Sequence, residues 1–313
     1  MTTTGADLRG LVAAVVLPFQ PDGIIDWHGY RCVLDHCASA DEIRAVFVNG
    51  HAGEGASLSR AERVEVIRQT RRHVGSRKPL LSGLIAFSTA EALEEARAAE
   101  DAGADVAVLF PPPAFAAGGA STVEAPLALL DAILERVSIP LSVFQLPVRS
   151  GFGYSTEALV AMAKRDRCIA VKEGSDDITL YEANFRALRE AAPNLAVLAS
   201  NFEWFLAQLA IGSDGILSGL LSLVPRHLGA LWQAAECGNL DAMRASSDRL
   251  YPIVRAIYAP PRMDMHTRIK AGLKHLKVIA CDHPRGPLQP LTSATSRDVA
   301  EALTRCGVTE QTA

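Results

Sequence analysis

The chain has 313 residues, of which 49% are hydrophobic and 21% are charged, and this composition is typical of a globular protein with a large core. A net charge of −4 gives no reason to expect a nucleic-acid or anionic membrane partner. No apolar run approaches the roughly 20 residues of a membrane helix, and no leader is recognisable. The six cysteines form no CxxC pair and no metal-ligand spacing, which indicates free thiols. We therefore expect a cytoplasmic protein.

Eight short apolar runs, many of them rich in β-branched residues, predict eight strands with helical patterns between them. The runs are Leu11–Leu17, Ala45–Val48, Pro79–Ile85, Val106–Phe110, Pro140–Phe144, Cys168–Val171, Leu195–Leu198 and Gly215–Leu217. Their near-continuous apolarity is typical of strands buried on both faces of a parallel sheet. Eight βα units predict an α/β fold of the (β/α)8 TIM-barrel type. A doubly wound sheet is the alternative, but no glycine-rich phosphate loop follows the first run.

Three serines predict helix starts. Ser59, Ser88 and Ser121 are each followed three residues later by a glutamate, the pattern of a capping box. After about Val224 the strand signals stop, and three segments with helical spacing follow at 227–237, 240–257 and 267–279.

These signals also predict how the chain is divided. We expect a flexible N-terminus over residues 1–10, a barrel that carries the site over residues 11–226, and a small helical domain over residues 227–313.

Lys172 lies at the end of the sixth apolar run, where a charged amine is costly to bury. Desolvation favours the neutral form of a lysine and lowers its pKa. A neutral amine is a nucleophile that can attack a carbonyl carbon and form a Schiff base. Considered alone, the position also fits a surface lysine just past a strand.

The other candidate site residues lie where the runs end, because a TIM barrel carries its chemistry at the C-terminal ends of its strands. After the second run, the turn of Gly50, His51 and Ala52 could hold a carboxylate on its backbone N–H groups, and His51 could transfer a proton. An ordinary glycine-rich turn is the alternative there. Arg149 could bind a substrate carboxylate or form a surface salt bridge. The remaining candidates, after the seventh and eighth runs, are Ser200, Asn201, Ser218 and Gly219.

Four motifs occur in chain order at the ends of the second, fifth, sixth and eighth runs. They are Gly50-x-x-Gly53-Glu54 followed by Leu58-Ser59-x-x-Glu62-Arg63, then Pro147-x-Arg149-Ser150-Gly151, Lys172-Glu173-x-Ser175 and Gly215-x-Leu217-Ser218. In this order and placement they resemble the dihydrodipicolinate synthase / N-acetylneuraminate lyase family. The resemblance implies a homo-oligomer, a tetramer or a dimer, in which Lys172 forms a covalent imine with pyruvate or another 2-oxo acid. It implies neither a metal nor an organic cofactor.

The chain departs from this family in the hydroxyl groups that relay protons. Two hydroxyl residues of the family correspond to His51 and Ala52, and its strand-five tyrosine corresponds to Phe144. A further tyrosine corresponds to Ala114 or Phe115. A phenyl ring cannot transfer a proton, and general acid–base help contributes about 100- to 10,000-fold to a rate. His51, with an ordinary pKa of roughly 6.5, is the candidate replacement.

These departures favour a Schiff-base lyase other than a true dihydrodipicolinate synthase, such as a 2-keto-3-deoxy sugar-acid aldolase or dehydratase. Lys172 would be its nucleophile and His51 its proton-transfer residue. Two alternatives stay open: a 4-hydroxy-tetrahydrodipicolinate synthase with an unusual proton relay, which Arg149 supports, and a non-catalytic 2-oxo acid binding protein.

Overall fold

The computed structural model describes residues 6–200 and 202–309, with residue 202 described by its backbone alone. Eight strands and eleven helices occur in these ranges. The strands are β1 (Gly10–Ala14), β2 (Ile43–Val48), β3 (Leu80–Leu84), β4 (Val106–Leu109), β5 (Leu141–Gln145), β6 (Cys168–Glu173), β7 (Ala196–Ala199) and β8 (Gly215–Ser218). The helices are α1 (Trp27–Ala38), α2 (Arg60–Val74), α3 (Thr89–Ala102), α4 (Glu124–Leu134), α5 (Thr156–Ala163), α6 (Ile178–Ala191), α7 (Phe205–Ile211), α8 (Pro225–Glu236), α9 (Leu240–Ile257), α10 (Met265–His275) and α11 (Ser293–Arg305).

The strands form a closed barrel in the order β1 to β8, with parallel pairing. Nearly every strand residue is buried, as the continuous apolar runs predict. A helix follows each strand from β1 to β8. The predicted (β/α)8 barrel is therefore confirmed, and the doubly wound sheet is excluded because that sheet would be open.

The strand boundaries differ from the predicted runs by up to three residues, and the ends of β1 and β6 differ most clearly. β1 ends at Ala14, three residues early, because the backbone N–H of Val16 donates to the Ser222 hydroxyl at 3.2 Å. That hydroxyl in turn donates to the Ala14 carbonyl at 3.1 Å. β6 runs beyond its apolar residues and includes Lys172, so the lysine lies within the strand.

Two of the three predicted helix starts are confirmed. Ser59 forms a reciprocal capping box at the start of α2, and Ser88 caps α3 through the backbone N–H three residues on. The prediction at Ser121 is wrong. This serine ends a 3-10 turn, where its hydroxyl bonds to the carbonyl three residues back, and α4 begins three residues later.

The chain forms two compact units. One contains the described residues up to Arg9 together with Ser59–Leu217, and it holds β3 to β7 with α2 to α7. Its N-terminal segment is anchored by Leu8, which is buried, and by Arg9, which donates to the Asn194 carbonyl at 3.0 Å. Residues 1–5 of the predicted flexible N-terminus lie outside the described residues.

The other unit contains Gly10–Leu58 and the described residues from Ser218 onward. Within it, α9 packs against α8, α10 and α11. The three predicted C-terminal helices are present, and α9 has the predicted bounds 240–257. Helix α11 was not predicted, because the prolines before it indicated a break. The predicted division of the chain at residues 226 and 227 stays a prediction.

All six cysteines lie within the described residues and are free thiols. Burial raises the pKa of the Cys168 thiol to about 12, which keeps it protonated and unreactive. Of the helices that the structure describes, none has the length and apolar character needed to cross a membrane.

Candidate active site

Lys172 lies near the C-terminal end of β6, with only 6% of its surface exposed. In the strand register it is opposite Phe144 of β5 and Leu198 of β7. Desolvation by these surroundings lowers the pKa of Lys172 from its ordinary value to about 7. A substantial share of this amine is therefore neutral and nucleophilic near neutral pH, as the sequence predicts.

Phe144 forms the wall next to this amine. The Nζ atom of Lys172 lies 3.8 Å from the centroid of the Phe144 ring. The ring meets Phe110 edge to face, with centroids 5.0 Å apart. A phenyl ring thus lies next to the amine, and neither this ring nor that of Phe110 carries a hydroxyl that could transfer a proton.

The residues that follow these two, Gln145 and Glu173, also lie opposite each other and point to the other face of the sheet. The Glu173 carboxylate accepts hydrogen bonds from the Asn184 side chain at 2.9 Å and the Ser175 hydroxyl at 3.0 Å. Burial raises the pKa of Glu173, which these bonds oppose. The Gln145 side chain bonds to both backbone groups of Tyr154. These contacts attach β6 to α6 and give Glu173 a structural role.

Arg149 lies in the 3-10 turn after β5 and forms an ion pair with Asp176, in the loop after β6. The Arg149 side chain is 70% exposed, whereas that of Asp176 is 10% exposed. The structure thus gives Arg149 an acidic partner that sequence reasoning did not identify. Ser200 is buried directly after β7, and Asn201 lies outside the described residues.

In the second unit, the loop after β2 is a tight turn. Asn49 and Glu54 have φ angles of 56° and 50°, in the left-handed region. The Glu54 N–H donates to the His51 carbonyl at 3.0 Å, and the Gly55 N–H donates to the Gly50 carbonyl at 3.0 Å. A Cβ atom at Gly55 would lie 2.1 Å from the Asn49 carbonyl oxygen, so only glycine fits there. The turn leaves the His51 side chain exposed.

Ser218, the last residue of β8, and Gly219 after it lie next to this loop within the same unit. A Cβ atom at Gly219 would lie 3.3 Å from the Ala52 Cβ and 3.4 Å from His266 Cδ2. The buried Ser218 hydroxyl accepts from the Leu220 N–H at 3.1 Å, which makes it a cap of the following turn. Predicted candidates Ala52 and Gly219 are thus neighbours, and they pack so closely that a side chain at Gly219 would crowd both Ala52 and His266.

Glu54 forms a fully buried ion pair with Lys270 of α10. The Lys270 amine also donates to the His283 carbonyl at 2.9 Å. The second carboxylate oxygen of Glu54 accepts from the Arg285 backbone N–H at 2.9 Å, and Arg285 and Lys270 both lie over the Phe19 ring. Burial lowers the pKa of Lys270, and the Glu54 carboxylate opposes that shift. This cluster fixes the C-terminal end of the loop that carries His51.

Sequence reasoning missed Phe110, Asp176 and Lys270. Phe110 and Asp176 each lie close after a strand end, so the rule that sites follow strands could have found both. Lys270 has no such signal, although a glutamate in a buried glycine-rich turn requires a cation somewhere in the fold.

Comparison with known proteins agrees with this geometry. The chain belongs to the dihydrodipicolinate synthetase family, whose model matches residues 7–306. This confirms the resemblance drawn from the four motifs. A 4-hydroxy-tetrahydrodipicolinate synthase from Protochlamydia amoebophila is 28% identical over 296 residues, which covers 95% of this chain and 96% of the relative.

Solved structures show the same fold. The dihydrodipicolinate synthase of Thermotoga maritima matches with a TM-score of 0.87 at 24% identity, covering 96% of this chain and 98% of that one. The chloride-inhibited dihydrodipicolinate synthase of Acinetobacter baumannii, solved in complex with pyruvate, matches with a TM-score of 0.84 at 25% identity. That match covers 96% of this chain and 100% of the other.

Proposed function

We propose that this protein is a Schiff-base-forming lyase that acts on pyruvate or another 2-oxo acid. The observation that carries the proposal is the environment of Lys172, a buried amine whose pKa is lowered to about 7 beside an apolar wall. Membership of the dihydrodipicolinate synthetase family supports it, as does the pyruvate complex of the Acinetobacter baumannii relative. Within this class we favour a 2-keto-3-deoxy sugar-acid aldolase or dehydratase.

The chemistry begins with the neutral Nζ of Lys172, which forms a bond to the C2 carbon of the 2-oxo acid. The carbonyl oxygen leaves as water and takes one proton from the amine and one from an acid or solvent. The resulting protonated imine accepts the electron pair released at C3. That pair comes from a C–H bond, or from the C3–C4 bond when the hydroxyl on C4 loses its proton and becomes a carbonyl. A dehydratase instead expels the C4 hydroxyl as water once C3 has lost its proton.

Two residues decide how protons move in this proposal. Phe144 contacts the amine and excludes water from that side. Because it has no hydroxyl, another group must transfer the protons. His51 is exposed on a turn whose backbone is fixed, and we assign it the proton transfer. The N–H groups of the same turn, at Gly50 to Ala52, are assigned to the substrate carboxylate. Ser200, Asn201, Ser218 and Gly219 are also assigned to substrate binding.

A 4-hydroxy-tetrahydrodipicolinate synthase is the second candidate, because relatives that span almost the whole chain carry that name. The phenyl ring at Phe144 and the engagement of Arg149 by Asp176 weigh against it. Condensation of pyruvate with aspartate semialdehyde distinguishes the two candidates. Product formed at a rate comparable to that with sugar acids would favour the synthase.

Borohydride trapping tests the proposal. The protein is incubated with pyruvate and reduced, and the adduct is located by intact mass and peptide mapping. We expect a reduced pyruvate adduct on Lys172 and none in Lys172→Met, which keeps an apolar side chain of similar length. An adduct on another lysine, or none with any 2-oxo acid, would contradict the proposal. Thermal stabilisation by 2-oxo acids without an adduct would instead indicate the binding protein.

Three expectations accompany this proposal. The covalent imine supplies the electron sink, so we propose no metal or organic cofactor. We also propose a homo-oligomer, a tetramer or a dimer, which sedimentation measures directly. A cytoplasmic location stays a prediction.

A further inference from the structure

The loops after β5 and β6, the strands that carry Phe144 and Lys172, hold an arginine paired with an aspartate. β5 and β6 are neighbouring strands, and they carry Phe144 and Lys172 side by side. Arg149 follows β5 and Asp176 follows β6, and the two side chains form an ion pair. The carboxylate of Asp176 is the buried partner, and the guanidinium reaches it from the solvent side. The charge of Arg149 is therefore balanced by the protein itself.

The backbone around Asp176 holds this carboxylate in position. Asp176 has a φ of 58°, in the left-handed region that most residues avoid. On one side, the Ser175 hydroxyl donates to the Glu173 carboxylate at 3.0 Å. On the other, the Asp177 side chain accepts from the Thr179 N–H at 2.9 Å as the cap of α6. Because both neighbours are fixed, the backbone of Asp176 is held in place at the start of α6.

An arginine on the loop after β5 is otherwise suited to bind a second substrate carboxylate, since a guanidinium and a carboxylate form two parallel hydrogen bonds. In this protein a second carboxylate would have to displace Asp176, and it would meet a like charge there. We propose that Asp176 occupies Arg149 in place of a substrate carboxylate and thereby selects 2-oxo acids that carry no second carboxylate. The inference rests on the proposed function, because it specifies the substrate class of the same amine.

Rates of borohydride trapping test the inference without knowledge of the net reaction. Pyruvate is compared with two dicarboxylates of different length, 2-oxoglutarate and 2-oxoadipate. The comparison uses the wild type, Asp176→Asn, and Asp176→Gly, since glycine adopts the left-handed backbone readily. Asp166→Asn is the matched control, because Asp166 is an exposed aspartate before the opposite end of β6.

We expect the wild type to trap pyruvate faster than either dicarboxylate. Both Asp176 variants should raise the trapping rate of at least one dicarboxylate relative to pyruvate by about 10- to 100-fold, the contribution of one charge-assisted hydrogen bond. Asp166→Asn should leave that ratio unchanged. Adding Arg149→Ala to Asp176→Asn should abolish the gain.

The outcomes separate this inference from the proposed function. Absence of any adduct in the wild type would refute the proposed function, and the inference with it. Adducts whose ratio stays the same in both Asp176 variants would refute the inference alone. A gain that persists without Arg149 would also overturn it, because the guanidinium would then have no part in binding the second carboxylate.

Discussion

Two buried lysines with opposite surroundings distinguish the two compact units. Lys172 lies against the phenyl ring of Phe144, and burial lowers its pKa to about 7. Lys270 is more deeply buried, yet it forms an ion pair with Glu54 and donates to a backbone carbonyl. The carboxylate opposes the effect of burial on Lys270. The proposed function assigns Lys172, beside a phenyl ring, as the nucleophile, whereas Lys270 is a structural cation whose charge a carboxylate compensates.

The comparison shows that burial alone does not identify a catalytic lysine. What matters is whether the neighbours stabilise the charged form of the amine. This criterion assigns chemistry to β6 and a positioning role to the cluster of Glu54, Lys270 and Arg285. Each assignment is therefore tested by a different measurement: the chemistry of β6 by kinetics and trapping, and the positioning role of the cluster by stability.

The largest expected effect concerns His51, which lies three residues before Glu54 in the unit that the comparison otherwise treats as structural. His51→Ala should lower turnover by about 100- to 10,000-fold, the usual contribution of a general acid or base. The borohydride adduct on Lys172 should persist, because imine formation uses the amine itself. Steady-state kinetics and trapping measure the two effects. Normal turnover in His51→Ala would assign proton transfer elsewhere, and His275→Ala, at an exposed histidine of α10, is the control.

The next effect concerns stability. Lys270→Met leaves the Glu54 carboxylate buried without its cation, which should lower the free energy of unfolding by about 3–5 kcal/mol. Lys172→Met removes an amine that burial disfavours, so its loss should be smaller. Urea unfolding followed by circular dichroism gives both values. The double variant Glu54→Gln with Lys270→Met should recover part of the loss, and equal losses at Lys172 and Lys270 would remove the distinction between the two lysines.

The smallest effect is a pH dependence. The pKa of Lys172 in the folded protein lies well below its ordinary value, so the neutral and reactive form increases as pH rises through about 7. The rate of imine formation with pyruvate should therefore rise about tenfold per pH unit below that value and level off above it. Initial rates of trapping between about pH 5.5 and 9 measure this. A rate that still climbs at the upper limit would mean that the charged form of Lys172 is stabilised as in Lys270.

The sequence predicted those parts of the protein that depend on neighbouring residues. Continuous apolar runs located all eight strands, and Ser59 and Ser88 located two helix starts. The prediction of a helix start at Ser121 was wrong because the serine hydroxyl bonds within its own turn, which the same sequence pattern also allows. The predicted end of β1 was wrong because the N–H of Val16 donates to the hydroxyl of Ser222, which lies far along the chain.

In the candidate site, too, some features follow from neighbouring residues and others depend on distant ones. The sequence predicted the position of Lys172 at the end of an apolar run. Strand geometry then directs Glu173, the next residue, to the other face of the sheet. Tertiary structure decided which charges pair, since Glu54 and Lys270 are 216 residues apart and Arg149 and Asp176 lie on different loops. Periodicity and capping act over a few residues and can be read locally. The energy of a buried charge depends on whichever partner the folded chain brings to it, and that partner can come from anywhere in the sequence.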